Sequence, residues 1–403
     1  MGELPQETIC AIASYLDDHN LRNLSLISRA FVAESQRQLF RKVGFYHHRH
    51  FLQWYRTITP AHPAIPSYTR TFVIFFSIGF YNQPAEDEPD CCVMASEIFA
   101  SFTNVEEILL RNLSLRYPHQ LSMVTNFSAS ALSVRSLQIQ TSQCSPGLMA
   151  KFIYLFPHLD DLHMDMINIT DNKPYDLPTP SPSFQGHGRL MLASDYCSHL
   201  RHFPLRFRHL HLTFFPFNLS GVLNGRNVSI LNDFFITCAT TLEHLTLCGE
   251  FSSSPSIVRN SRINIGSEMD LEMETEATQV VDLSPCKRLR TLRLELRELS
   301  KCPPYATQVL ASLESSPSLE TIAIVFYSSG RSLMDGLRRF SDGWDAADTQ
   351  LCRLSELKDG HLYVSVGFNG FRTGQETPLL ADFGAFMAKS RHSLMSFTIL
   401  CDS

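Results

Sequence analysis

His47, His48 and His50 crowd around Arg49, and imidazoles at such spacing invite a metal. Zinc sites take their ligands from His, Cys and carboxylates. Here no Cys or carboxylate lies close in sequence, and the neighbouring cation opposes a bound metal. Eleven cysteines are scattered along the chain without a C-x-x-C pair. A nucleophilic thiolate needs a base and a lowered pKa, and nothing in the sequence singles one out. His163, His209 and His211 fall on alternating apolar segments and are expected to face solvent. Gly186-His187-Gly188 lacks the third glycine of a dinucleotide fingerprint and ends a Pro-rich stretch. There is no G-x-S-x-G elbow, no phosphate-cradling loop and no H-E-x-x-H helix. The expectation is a non-catalytic chain with no catalytic residue, no metal and no cofactor, whose chemistry is recognition.

Composition narrows what it could recognise. The 403 residues are 44% hydrophobic and 18% charged, with a formal net charge of −6 and a pI near 6.2. That is enough apolar material for more than one core unit. Nucleic acid is not expected as a partner, because phosphate backbones call for a basic stripe. The opening MGELPQETIC has neither a basic stretch nor an apolar one of the secretory type. No run of about 18 apolar residues suggests a membrane span. With an odd number of scattered cysteines, a reducing cytoplasmic or nuclear compartment is expected.

The elements that would do the recognising begin at once. Leu4-Pro5-Gln6-Glu7 reads as a helix start, with Pro5 suited to the first helical position and Glu7 to the first turn. Ile9, Ile12, Ala13 and Leu16 then form one apolar stripe. Asp17-Asp18-His19-Asn20 breaks it, and Asn20 is the expected cap of a second helix whose stripe is Leu21, Leu24 and Ile27. Ser28 is expected to cap a third helix carrying Phe31, Ser35 and Leu39. Three such short helices cannot bury their stripes well alone. Periodicity leaves two readings open: a helical cap packed on the rest of the chain, or a module whose leftover apolar face meets a partner.

The string LPQETICAIASYLDDHNLRNLSLISRAFVAESQRQLFRKV resembles the F-box family along that motif's whole length. The family's Leu-Pro opening matches Leu4-Pro5, and its acidic residue two positions on matches Glu7. Its "I..L" helix end matches Ile12 and Leu16, and its "L..L..VS" core matches Leu21, Leu24, Ile27 and Ser28. Phe31 stands where the family has Trp or Phe, and Leu39-Phe40 matches its closing "LF". The resemblance implies an F-box over residues 1–43. It would dock on a Skp-type adaptor and, through it, on a cullin and a RING protein. It also implies adaptor contacts from Leu4, Pro5, Ile9, Ile12, Leu16, Leu21, Leu24 and Ile27. Some of these must instead pack the three helices together, and the sequence does not say which.

Residues 44–403 alternate short apolar strands with helix-like stretches. Strands are expected at 71–76, 105–110, 134–139, 159–164, 207–212, 242–247, 289–294, 319–324, 362–368 and 394–400, and residues 39–43 open the series. Three share the pattern L-x-x-L-x-L: Leu242/Leu245/Leu247, Leu289/Leu292/Leu294 and Leu319/Ile322/Ile324. Helices are expected at 51–58, 94–102, 148–156, 230–239, 305–313 and 379–388. Strand starts lie about 25 to 48 residues apart, longer and less regular than the 20–29 of standard leucine-rich repeats. Right-handed strand–helix crossovers give parallel strands, and their repetition stacks into a solenoid. The expected fold class is therefore α/β: a three-helix F-box followed by an irregular leucine-rich-repeat-like solenoid with a curved parallel sheet. A single non-repeating α/β domain is the alternative. Two polar, Pro- or Ser-bearing stretches, 170–188 and 251–284, read as flexible insertions, and 82–90 as a smaller acidic loop.

The function implied is substrate receptor of a Skp-cullin-F-box ubiquitin ligase, with an unidentified protein target held by the solenoid. The first alternative is an F-box scaffold acting outside a ligase, and a further one, supported only by the size of the second domain, is an enzyme with an unrecognised site.

Overall fold

The computed structural model describes residues 4–58, 64–75, 97–115, 133–140, 142–144, 146–165, 168–169, 186–193, 206–215, 225–249, 281–296, 302–327, 341–358, 361–369, 387–388 and 396–402. They form two compact units, Met1–Gly186 and His187–Ser403.

The first unit opens with helices α1 (Gln6–Ser14), α2 (Asp18–Ile27) and α3 (Arg29–Leu39). Pro5 sits one place earlier than expected, as the N-cap of α1. The cap of α2 is Asp17, not Asn20: its carboxylate accepts the Asn20 N–H at 2.8 Å. A carboxylate both satisfies an orphan donor and meets the positive end of the helix dipole, which an amide does not. Ser28 occupies the cap position of α3 but makes no side-chain capping bond. Strand β1 (Lys42–Phe45) follows, then α4 (His48–Gln53) running into a π-helical turn, Trp54–Ile58. The unit continues through α5 (Ile65–Tyr68), β2 (Thr71–Phe75), a helical stretch at 97–101, β3 (Glu107–Arg111) and β4 (Ser114–Leu115). It ends with β5 (Ser136–Gln140), β6 (Gln143–Cys144), α6 (Pro146–Ile153), β7 (Asp161–Asp165) and β8 (Asn168–Ile169).

Strands β1, β2, β3, β5 and β7 pair in that order, all parallel. The two-residue strands β4, β6 and β8 form a second small parallel sheet. Pairing in chain order means that each strand of this sheet lies beside the one before it, the strand order a repeat protein would have.

The second unit contains β9 (His187–Ala193), β10 (His209–Phe215), α7 (Gly225–Cys238), β11 (His244–Gly249) and β12 (Thr291–Leu296). It goes on through α8 (Cys302–Ser312), β13 (Thr321–Tyr327), α9 (Ser341–Leu357), β14 (Tyr363–Asn369) and β15 (Ser396–Asp402). Its seven strands also pair parallel and in chain order. Helices α8 and α9 pack against each other. The α/β class and the parallel sheets are as expected.

In-register pairing lines the inward residues up in columns. In the first unit Val43, Phe72, Ile108, Leu137 and Leu162 form one, and Phe45, Ile74, Leu110, Ile139 and Met164 the next. In the second, Leu210, Leu245, Leu292, Ile322 and Val364 run beside Leu212, Leu247, Leu294, Ile324 and Val366. All are buried. Each buried Leu or Ile stabilises the fold by roughly 1.5–3 kcal/mol.

Most of the strands begin two residues later than the L-x-x-L-x-L pattern suggests. The first apolar residue of each pattern, such as Leu242, Leu289 or Leu319, is buried in the turn ahead of the strand. Pairing starts after it, where one carbonyl accepts two successive amides from the next strand. Arg208 O takes the N–H of Glu243 and His244, Glu243 O those of Arg290 and Thr291, and Arg290 O those of Glu320 and Thr321.

Strand β9 and helix α9 were not expected. The stretch 170–188 was assigned to an insertion, but its end already lies in β9. Gly188 is required there, since a Cβ would meet the Phe207 ring at 2.2 Å. The end of 251–284 is likewise packed: Val281 and Leu283 are buried, and the Asn232 side chain accepts the Asp282 N–H at 2.8 Å. The other residues of these two stretches, the loop 82–90 and all but the last two positions of the helix expected at 379–388 lie outside the described residues.

Candidate functional site

Helix α3 packs against both α1 and α2. The side chains that make this contact are buried: Ile9 and Ala13 from α1, Leu21 from α2, and Phe31 and Ser35 from α3. Glu34 is buried too, with its carboxylate accepting Arg37 Nη1 at 2.5 Å and Gln38 Nε2 at 3.0 Å, so the charge is answered within its own helix.

What the three-helix core does not use is left in water. Tyr15 is 90% exposed, Leu26 85% and Ile27 81%, with Leu4 and Ile12 also exposed. Pro5 is exposed beside Leu4, and Leu16 and Leu24 are half-buried. Large apolar side chains concentrated on one three-helix module mark an interaction face. Among the described residues, the other exposed large hydrophobics (Tyr46, Ile236, Leu357 and Tyr363) are spread over separate elements.

The eight residues expected to meet an adaptor therefore divide. Leu4, Pro5, Ile12 and Ile27 are presented to solvent, Leu16 and Leu24 lie at the margin, and Ile9 and Leu21 sit in the core as support. Tyr15 and Leu26 join the face without having been expected. For Leu26, helical geometry carries the signal that finds it. At 3.6 residues per turn, Leu26 is about 140° and Ile27 about 240° round from Leu21. An apolar pair that far off the buried stripe has no internal partner.

The groups that could have carried chemistry do not assemble. His47 and His50 have ring centroids 5.4 Å apart, edge to face. Among the described residues, no group of three or more His, Cys, Asp or Glu is arranged to hold a metal ion. Cys10, Cys238, Cys248, Cys286 and Cys352 are in no disulfide. Burial pushes the Cys238 and Cys286 thiols up to about 12, which keeps both protonated and unreactive. The Cys286 thiol donates to Phe235 O at 3.8 Å. No helix among the described residues is long and apolar enough to cross a membrane.

No family model matches the chain, and no curated protein matches its sequence.

Proposed function

We propose that the chain is the substrate-receptor subunit of a Skp-cullin-F-box ubiquitin ligase. Residues 1–43 act as the F-box, and the parallel strand–helix repeats act as a leucine-rich-repeat-like solenoid that holds a protein target. The observation that carries this reading is the apolar face of α1 and α2: Leu4, Ile12, Tyr15, Leu26 and Ile27, left exposed by a three-helix core that is otherwise complete. The resemblance over residues 4–43 names the partner for such a face, a Skp-type adaptor. Catalysis would then be by proximity. A target held by the repeats has its lysines presented to a ubiquitin-loaded E2 on the same assembly, so transfer becomes effectively intramolecular.

The test is a pull-down of the full chain with a Skp-type adaptor, wild type against Ile12→Asp/Ile27→Asp. Both side chains are exposed, so the double variant is expected to keep its fold and melting temperature. Each apolar contact contributes roughly 1.5–3 kcal/mol, so losing two weakens binding by at least about a hundredfold. A folded wild type that does not bind, or a double variant that binds as well, removes the receptor reading.

A further inference from the structure

The residue just ahead of each strand occupies one equivalent place, and in seven of them the backbone carbonyl takes two amides of the next strand. In the first unit these residues are Arg41, Arg70, Glu106, Arg135 and Asp160, along one edge of the sheet. From Arg70 on their charges alternate. Arg70 Nη1 lies 3.2 Å from Glu106 Oε1, and Arg135 Nη1 3.7 Å from Asp160 Oδ2. The second unit shows the same order: Arg208, Glu243, Arg290, Glu320. The alternation fails at its first step. Arg41 neighbours Arg70 where an acid belongs, and the Arg41 guanidinium has no hydrogen-bond or ion-pair partner among the described residues.

A cavity of about 270 Å³ opens at this step. Arg37, Arg41 and Arg70 line it from the end of α3 and from the residues ahead of β1 and β2, together with Gln38, Tyr68 and the Arg70 partner Glu106. Arg37 is already answered by Glu34 at 2.5 Å and Arg70 by Glu106. One positive charge, that of Arg41, is left over. The negative end of α3 amounts to only about half a charge, so the cavity stays cationic. Three arginines lining one space from two chain segments suit the several oxygens of a phosphate, whereas a planar carboxylate is satisfied by a single bidentate arginine. The volume is several times the roughly 30 Å³ that a water molecule occupies in the liquid.

We propose that this cavity binds a small phosphate-bearing anion, with Arg41 as its main cationic contact. This goes beyond the receptor reading and does not depend on it. The ligand completes the charge order of the sheet edge by supplying, beside Arg70, the negative charge that position 41 lacks.

The experiment is isothermal titration calorimetry of the full chain with inorganic phosphate and with glycerol phosphate, at ionic strength matched by sodium chloride. Saturable binding is expected at millimolar concentration, weakened at least about tenfold in Arg41→Gln by loss of a charge-assisted contact. Arg135→Gln, at the equivalent place further along the edge, keeps wild-type affinity. Circular dichroism shows that both variants are folded. Tighter binding of glycerol phosphate assigns the site to an organic monoester, and tighter binding of inorganic phosphate to the free ion. The proposal is overturned if folded wild type shows no saturable heat, if Arg41→Gln binds as wild type does, or if Arg135→Gln loses binding equally.

Discussion

His187, His209 and His244 are the first residues of β9, β10 and β11 and lie opposite one another in register. Their ring centroids are 4.1 and 4.3 Å apart, a row of three imidazoles across the sheet with the rings tilted and edge to face. His209 is half-buried in the middle of it, not facing open solvent as its strand position had suggested. Burial, then the charges of His187, His244 and Arg208, push its pKa from 6.5 down to about 4, against the pull of Glu243. Burial lowers His244 as well. An unfolded chain takes up its histidine proton near pH 6.5, and the folded one only near pH 4. Between those values the unfolded state binds more protons, so stability falls as pH drops from about 6.5 towards 4 and is unaffected by these groups above that window. Carboxylates such as Glu243, held below its usual range, act only lower down. Melting temperatures from pH 8 to pH 5 are therefore expected to fall more steeply in wild type than in His209→Gln. Parallel curves for the two would show that the row of imidazoles carries no such linkage.

At the scale of the element, the charged edge joins successive strand–helix units, but its pairs are not equal. Glu243 is almost buried, and its carboxylate accepts Arg208 Nε and Arg288 Nη2, each at 3.0 Å. Burial raises its pKa, but the Arg208 hydrogen bond and the charges of Arg208, Arg288 and Arg290 outweigh that, leaving it below the usual range. Glu320 faces Arg290 at 3.9 Å with both side chains more than half exposed. Exposed pairs contribute at most about 1 kcal/mol, whereas removing Glu243 takes away a buried carboxylate that Arg208 and Arg288 share, leaving two like charges side by side. Glu243→Ala is expected to lower the melting temperature clearly more than Glu320→Ala, and equal losses would mean that the pairing at Glu243 adds nothing beyond an exposed pair. This edge was not legible from the sequence. Its members are 25 to 47 residues apart and share only the place ahead of an apolar alternation. The strands themselves were legible because Leu245/Leu247, Leu292/Leu294 and Ile322/Ile324 alternate with period two along each strand. Helix α9 was missed although Trp344, Ala347, Leu351 and Leu354 fall at helical spacing and are buried. Strand β9 was missed because Gly188 stands where its neighbours carry Leu, and only the adjoining Phe207 explains why.

Across the whole chain, two recognition surfaces of opposite physics are proposed, one apolar on α1 and α2 and one cationic beside the end of α3. The first was half-legible. Its residue types were read from 4–27, but an apolar stripe does not say which members face inward. Ile9 and Leu21 turned to the core, while Tyr15 and Leu26, off the stripe, turned out. The second was not legible, because Arg37, Arg41 and Arg70 come together only once β1 and β2 pair. The two surfaces must answer differently to salt. Burial of apolar area is not screened by mobile ions, whereas attraction between exposed charges is strongly screened once the Debye length falls from about 10 Å at 0.1 M towards 3 Å at 1 M. Raising sodium chloride from about 0.1 M to about 0.5 M is therefore expected to leave adaptor affinity within about twofold. The same change weakens phosphate binding several-fold, because chloride competes and the field of Arg41 is shortened. If adaptor binding fell steeply with salt, the contact would be made by charged side chains rather than by Ile12, Tyr15, Leu26 and Ile27. If phosphate binding did not fall, the heat observed would come from somewhere other than the cavity beside Arg41.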